Sequence, residues 1–165
     1  MAGIEKITRE QFVTYLNTTP GESEKWAKLG VGITEYGIAY NPQVTTEKWI
    51  IHKNATSSLD SYQKQGEVSQ KCYKGDAVFE FINKLRRENK IGAEVQTQIL
   101  DIDRFDVESA EMTPKFKAQK SDVIIAITKY MAEDAVIEYT IYYNGDPVLG
   151  TVTFAEEAPT FVPTV

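Results

Sequence analysis

A single histidine, a single cysteine and one run of carboxylates are the residues of this 165-residue chain whose types could do chemistry. His52 could act as a general base. No Ser or Cys falls near it in an arrangement that nucleophilic catalysis needs, so a surface or interface histidine is the better reading. Cys72 lies beside Lys71 and close to Lys74, charges that could lower a thiol pKa, yet a half-buried structural cysteine is favoured. Being alone, it can form no intrachain disulfide, which fits a reducing compartment. The carboxylates are Asp101, Asp103, Asp106, Glu108 and Glu111. Asp101 and Asp103 would share one face of a strand, as paired carboxylates or ligands of a hard cation would. The series lacks the Gly and closing Glu of an EF-hand loop and has no histidine partner. No catalytic residue, metal site or cofactor is expected.

Nor does a phosphate-binding loop emerge, since Gly30 and Gly32 lead into a strand rather than a helix. Asn17-Thr18-Thr19 and Asn54-Ala55-Thr56 are formal glycosylation sequons, but Met1 to Glu10 does not read as a secretory signal. No apolar run approaches the ~20 residues that span a bilayer, so no membrane partner is expected. The hydrophobic fraction of 42% and charged fraction of 25% are those of an ordinary globular domain. Charge is unevenly spread. Residues 1–90 carry 13 Lys and Arg against 11 Asp and Glu, while residues 91–165 carry 5 against 13. An acidic second half argues against tight nucleic-acid binding, which requires cations to neutralise phosphates.

The elements that would position these residues are mostly strands. Thr8 and Gln11 suggest a capping box for a short helix with Phe12, Tyr15 and Leu16 on one face, broken by Thr18-Thr19-Pro20-Gly21. Val31 to Tyr40 alternates, Asn41-Pro42 turns, and Gln43 to His52 reads as a second strand with Trp49 and Ile51 on one face. Asn54 to Gly66 is polar and without period, a loop longer than compact domains usually carry without a job. Val68 to Tyr73 is a short strand. Asp76 caps the strongest helix, with Val78, Phe81, Ile82 and Leu85 at i, i+3, i+4 and i+7 and Gly92 as its stop. Glu80 and Glu88 interleave with its Lys and Arg, the mark of a solvated face. Glu94 to Ile102, Val123 to Tyr130, Val136 to Tyr143 and Val148 to Phe154 are further strands, the last two joined by an Asn144-Gly145-Asp146-Pro147 hairpin. Ala155 to Val165 is an extended arm. The fold class expected is mainly β: a sandwich or barrel of about six to seven antiparallel strands with a flanking helix, in one domain over residues 1–165.

The order of these elements resembles the major tail tube proteins of long-tailed bacteriophages. Gly32-Ile33-Thr34-Glu35, Tyr40-Asn41-Pro42-Gln43 and Trp49-Ile50 resemble their opening hairpin. Gly75-Asp76-Ala77-Val78-Phe79-Glu80-Phe81-Ile82 resembles the start of their helix. Tyr143 to Pro147 followed by Gly150-Thr151-Val152-Thr153-Phe154 resembles their closing hairpin, and Met1-Ala2-Gly3-Ile4 with the Phe12 to Asn17 segment fits as well. The chain departs from one branch of that family, having too few residues after Phe154 for an appended immunoglobulin-like domain.

The resemblance implies a non-enzymatic virion protein with a fold shared by contractile injection tubes. Its subunits would form hexameric rings that stack into a tube, made in the host cytoplasm and resident in the virion tail. A loop after the second strand would contact the adjacent ring, here Lys53 to Gln70, with Asn54, Ser57, Ser58, Asp60, Tyr62, Gln63 and Gln65 as contact residues. The arm from Ala155 would add contacts. An acidic lumen would let viral DNA pass without specific binding, with Asp101, Asp103 and Glu138 as candidates from strand position. Further partners implied are the tape measure, tail terminator and baseplate proteins. The rival readings are a secretion-system tube subunit of the same fold, a small-molecule-binding β-barrel and, last, a hydrolase.

Overall fold

A computed structural model describes residues 3–109, 112–156 and 158–164. Met1, Ala2, Glu111 and Val165, which figure in the expectations above, lie outside them. Ten strands and one α-helix are described: β1 (Phe12–Asn17), β2 (Trp26–Lys28), β3 (Ile38–Ala39), β4 (Pro42–Glu47), β5 (Thr56–Tyr62), β6 (Gln65–Lys71), α1 (Ala77–Arg87), β7 (Gln96–Ser109), β8 (Lys115–Met131), β9 (Val136–Ala155) and β10 (Ala158–Pro163). The main sheet is antiparallel and runs β2-β1-β7-β8-β9-β6-β3, with β10 on the second half of β9; β4 and β5 form a separate two-stranded sheet. The mainly-β class with one flanking helix is therefore observed.

Both faces of the main sheet are buried, in different halves. Neighbours along a strand point to opposite faces, and Ile99 and Leu100, both fully buried, belong to different clusters. Ile99, Val123, Ile125, Ile137 and Ile141 pack under α1 through Val78, Ile82 and Leu85. Leu100, Ile102, Val13, Ala118 and Val152 pack on the other face, closed over by Trp26, Phe116, Phe154 and Phe161. The sheet must coil to cover both, which the long β8 and β9 make possible.

Helix α1 follows its sequence signal. The Asp76 side chain accepts from Phe79 N at 3.3 Å as N-cap and also from Gln70 Nε2 at 2.7 Å, tying the helix start to β6. The helix ends at Arg87, ahead of the expected Gly92, because Asn89 takes a positive φ of 47°.

Five further expectations are corrected. The capping box at Thr8 is present but serves only a 3-10 turn (Arg9–Gln11), and Phe12 to Asn17 continues as strand β1. The Val31 to Tyr40 strand is reduced to β3 and an isolated bridge from Ile33 to Gln70. The polar stretch 53–70 is not a loop, for it contains β5 and most of β6. Asn144 to Pro147 is no hairpin: β9 runs straight through it. Asn144 pairs with Asp122 and Val148 with Lys120, so the turn-forming residues bulge opposite Ser121 and Gly145 takes φ 66°. The terminal stretch is likewise not a free arm, because β10 pairs back on β9 from Ala158–Ala155 to Pro163–Gly150.

Candidate assembly interface

The β4–β5 sheet contributes nothing to either core: every residue from Asn41 to Gln63 is exposed. It is held together by its own polar pairs. Thr46 and Ser57 meet hydroxyl to hydroxyl at 2.9 Å, Thr45 Oγ1 donates to Asp60, and Asn41 Nδ2 donates to Gln63 O at 3.1 Å. One face nevertheless carries apolar pairs, Val44 opposite Leu59 and Pro42 opposite Tyr62, with Tyr62 edge-on to Tyr40 at 5.4 Å. The turn between the strands carries Trp49, Ile50 and Ile51, exposed at 60%, 102% and 78%. His52 stacks flat on Trp49 at 5.6 Å. A two-stranded hairpin alone in water is marginal, and an apolar tip on it marks an interaction surface.

Of the loop residues expected to make contacts, Ser57, Ser58, Asp60 and Tyr62 lie on β5, Asn54 lies in the connection, Gln63 follows β5 and Gln65 opens β6. The structure thus gathers all of them but Gln65, which sits in the main sheet, on the hairpin and its connections, but the hairpin's apolar end is the Trp49 to Ile51 run that the sequence pattern places inside a strand. Three consecutive apolar residues cannot alternate between a buried and a solvated face, and that was the available signal.

Where the hairpin leaves the main sheet there is a cavity of about 380 Å³ lined by, among others, Phe12, Leu29, Ile38, Tyr40, Lys64, Asp101, Asp103 and Gln119. Asp101 is no free surface acid. Thr14 Oγ1 donates to its Oδ1 at 3.0 Å and Tyr143 Oη to its Oδ2 at 3.1 Å. Burial pushes its carboxyl above the ordinary range, against the Thr14 and Tyr143 bonds and the charge of Lys64, and Asp103 adds to the rise. Asp103 is likewise raised, by burial and by Asp106. Tyr36 and Tyr143 are pushed up by burial and the Asp101 charge, so both stay protonated. Sequence reasoning missed this polar cluster because its members come from four separate segments. Glu138 is elsewhere: it lines a second cavity with Glu35 and Glu67. The three acidic candidates are therefore split between two places.

The groups that could have supported an enzyme do not converge. His52 is at the hairpin tip, and burial raises the Cys72 thiol, with Arg86 opposing. Among the described residues no three His, Cys, Asp or Glu side chains are grouped to hold a metal ion, and no helix is long and apolar enough to cross a membrane.

No protein-family model matches the sequence, and no curated protein matches it. Solved structures do. A chain in the tail of an empty GTA particle with C6 symmetry is 9% identical and superposes with a TM-score of 0.54, over 86% of this chain and 97% of that one. A chain in the six-fold symmetrised baseplate of the anti-feeding prophage is 7% identical with a TM-score of 0.46, over 90% and 97%. The first likeness shows the fold: the chain has the tail tube fold that the sequence resemblance implied.

Proposed function

We propose that this chain is a structural subunit of a phage-type tail, polymerising as stacked hexameric rings into the tube through which DNA is ejected. The observation that carries the reading is the fold shared, across most of the chain, with a protein of a six-fold symmetric tail. The free hairpin supports it, since an element with no buried face in the monomer acquires one only in an assembly.

Sheet topology supplies a route to ring closure. Among the described residues, β7 has no strand on its outer side beyond Asp103, and β10 is an edge as well. Across β7, β8, β9 and β10 each neighbour is antiparallel. With an even number of strands the two edges run in opposite directions, so β10 of one copy meets β7 of the next without breaking the alternation. Pro159 and Pro163 remove two N–H groups from β10, which keeps such a ladder short and blunts the edge against unspecific growth. Ring stacking falls to the hairpin, including Asn54, Ser57, Ser58, Asp60, Tyr62 and Gln63. Tape measure, terminator and baseplate proteins would meet the finished tube.

Negative-stain electron microscopy of the purified protein across a concentration series tests this. Rings or tubes are expected at high concentration; a protein that stays monomeric throughout overturns the reading.

A further inference from the structure

We propose that Asn144 is a self-modifying site, at which the main-chain nitrogen of Gly145 displaces the side-chain amide and turns the residue into aspartate or isoaspartate without an enzyme.

The course of β9 supplies the freedom that this ring closure needs. The strand carries Tyr139, Ile141 and Tyr143 in the core under α1 and Val152 in the opposite core, so it passes from one to the other through Asn144 to Leu149. Along that stretch β8 pairs with Asn144 and again with Val148, and Gly145, Asp146 and Pro147 have no partner residue on it. On the other side β6 stops at Tyr142 and β10 begins at Gly150. Among the described residues, no strand therefore pairs with Gly145 on either side. Asn144 and Gly145 are both exposed, and the Asn144 side chain has no hydrogen-bond partner among the described residues. Gly145 takes a φ of 66° in open space, where a Cβ would meet nothing within 4 Å. Its own lack of a side chain lets its nitrogen come close to Asn144 Cγ.

The chemistry balances with water alone. A bond forms between Gly145 N and Asn144 Cγ, the Cγ–Nδ2 bond breaks, and ammonia leaves with the proton that Gly145 N gave up. Water then opens the five-membered imide. Cleavage at Cγ gives aspartate, and cleavage at the main-chain carbonyl gives isoaspartate, with one methylene more in the backbone. Either product sets a carboxylate opposite Asp122, the β8 partner of Asn144, and like charges directly opposite repel.

The other asparagines are held back by their surroundings. Asn17 is buried, with its Oδ1 accepting from Thr19 N at 3.0 Å. Asn41 precedes Pro42, which has no N–H to give up. Asn83 Oδ1 accepts from Arg86 Nη2 at 2.8 Å, and Lys90 N, next to Asn89, donates to Leu85 O at 3.1 Å. Asn54 is exposed but is followed by Ala55, whose Cβ hinders closure.

The test keeps the full chain folded in mildly alkaline buffer, beside a sample unfolded in urea, and digests both with trypsin over time. Residues 130–165 contain no other Asn, no Gln and no Lys or Arg, so the peptide that starts at Tyr130 reports Asn144 alone. Mass spectrometry reads the loss of amide, and chromatography separates aspartate from isoaspartate. In the folded protein this peptide is expected to lose its amide ahead of the Asn54 peptide, to yield both products, and to do so about as fast as in urea. An acidic band that grows with time on isoelectric focusing should be lost in Asn144→Gln. An amide kept in the folded protein, loss at Asn54 first, aspartate without isoaspartate, or an acidic band that grows as fast in Asn144→Gln each overturns the proposal.

Discussion

Tyr36 and Tyr143 meet hydroxyl to hydroxyl at 2.8 Å, and Tyr143 Oη donates to Asp101 Oδ2 at 3.1 Å. Thr14 donates to the other carboxylate oxygen, so the ionised Asp101 accepts both bonds and Tyr36 is the donor to Tyr143. This line of side chains joins the segment before β3 to β9, β7 and β1. It pins the root of the hairpin to the main sheet, and each link can be broken separately.

Asp101 should make stability depend on pH in a direction opposite to that of a salt-bridged acid. Burial is the largest cause of its raised value, so the folded protein holds this proton more tightly than the unfolded chain does. Its contribution to stability is full below the ordinary carboxylate value of about 3.9 and is lost as the pH rises through the raised folded value. Asp101→Asn removes the titration. Measured by urea unfolding at steps from about pH 4 to about pH 8, the difference between variant and parent should move in the variant's favour as pH rises through that window. A difference that is flat with pH would refute the assignment.

Gly66 lies against the Tyr36 ring. A Cβ there would stand 2.5 Å from Tyr36 Cε2 and 2.8 Å from both Cζ and Oη. The ring cannot step aside freely, because its hydroxyl is held by Tyr143. Gly66→Ala should cost about 1–3 kcal/mol, the usual penalty for overpacking. The same change made in a Tyr36→Ala background should cost clearly less, and a double-mutant cycle by chemical denaturation reads the coupling. Additive costs would mean that the two residues do not press on one another.

How legible these features were in the sequence follows from what buried each segment. Helix α1 was readable because Asp76 caps it and Val78, Ile82 and Leu85 all face one core. The Phe12 to Leu16 spacing imitates a helix, yet β1 is buried on both faces, with Tyr15 in one cluster and Leu16 in the other, and tertiary pairing with β7 decides. Asn144-Gly145-Asp146-Pro147 has hairpin chemistry, but β8 is long enough to pair on both sides of it, and a bulge absorbs the turn residues. The β5 segment shows no period for a plain reason: neither of its faces is buried, so nothing in the monomer constrains which of its residues alternate. The acidic candidates do lie on strands, but the hydroxyl partners that Asp101 finds on β1 and β9 leave no trace in local spacing.

Asp76 does two jobs, as helix cap and as acceptor for the fully buried Gln70, whose Oε1 in turn accepts from Tyr139 at 2.9 Å. Asp76→Ala should therefore cost about 2 kcal/mol, more than a cap alone, since an orphaned buried donor adds to the loss. Thermal or urea unfolding checks it. A cost no larger than that of an exposed cap would show that Gln70 finds full compensation from Val31 O, which its amide also reaches at 3.1 Å.

The hairpin tip should separate stability from assembly. Trp49 and Ile50 are exposed in the monomer, so Trp49→Ser with Ile50→Ser should leave unfolding within about 0.5 kcal/mol of the parent. In an assembly the same side chains are covered, and burying a large apolar side chain stabilises by about 1.5–3 kcal/mol. Losing two of them exceeds the 1.4 kcal/mol that corresponds to roughly a factor of ten in an association constant. The concentration at which tubes appear, followed by sedimentation, should rise by at least about tenfold. Ile91→Ser is the control, being 79% exposed but remote from the hairpin in sequence, and should leave that concentration unchanged. If the control weakens tubes as much as the tip variant does, general surface apolarity drives assembly and the hairpin has no special part in it.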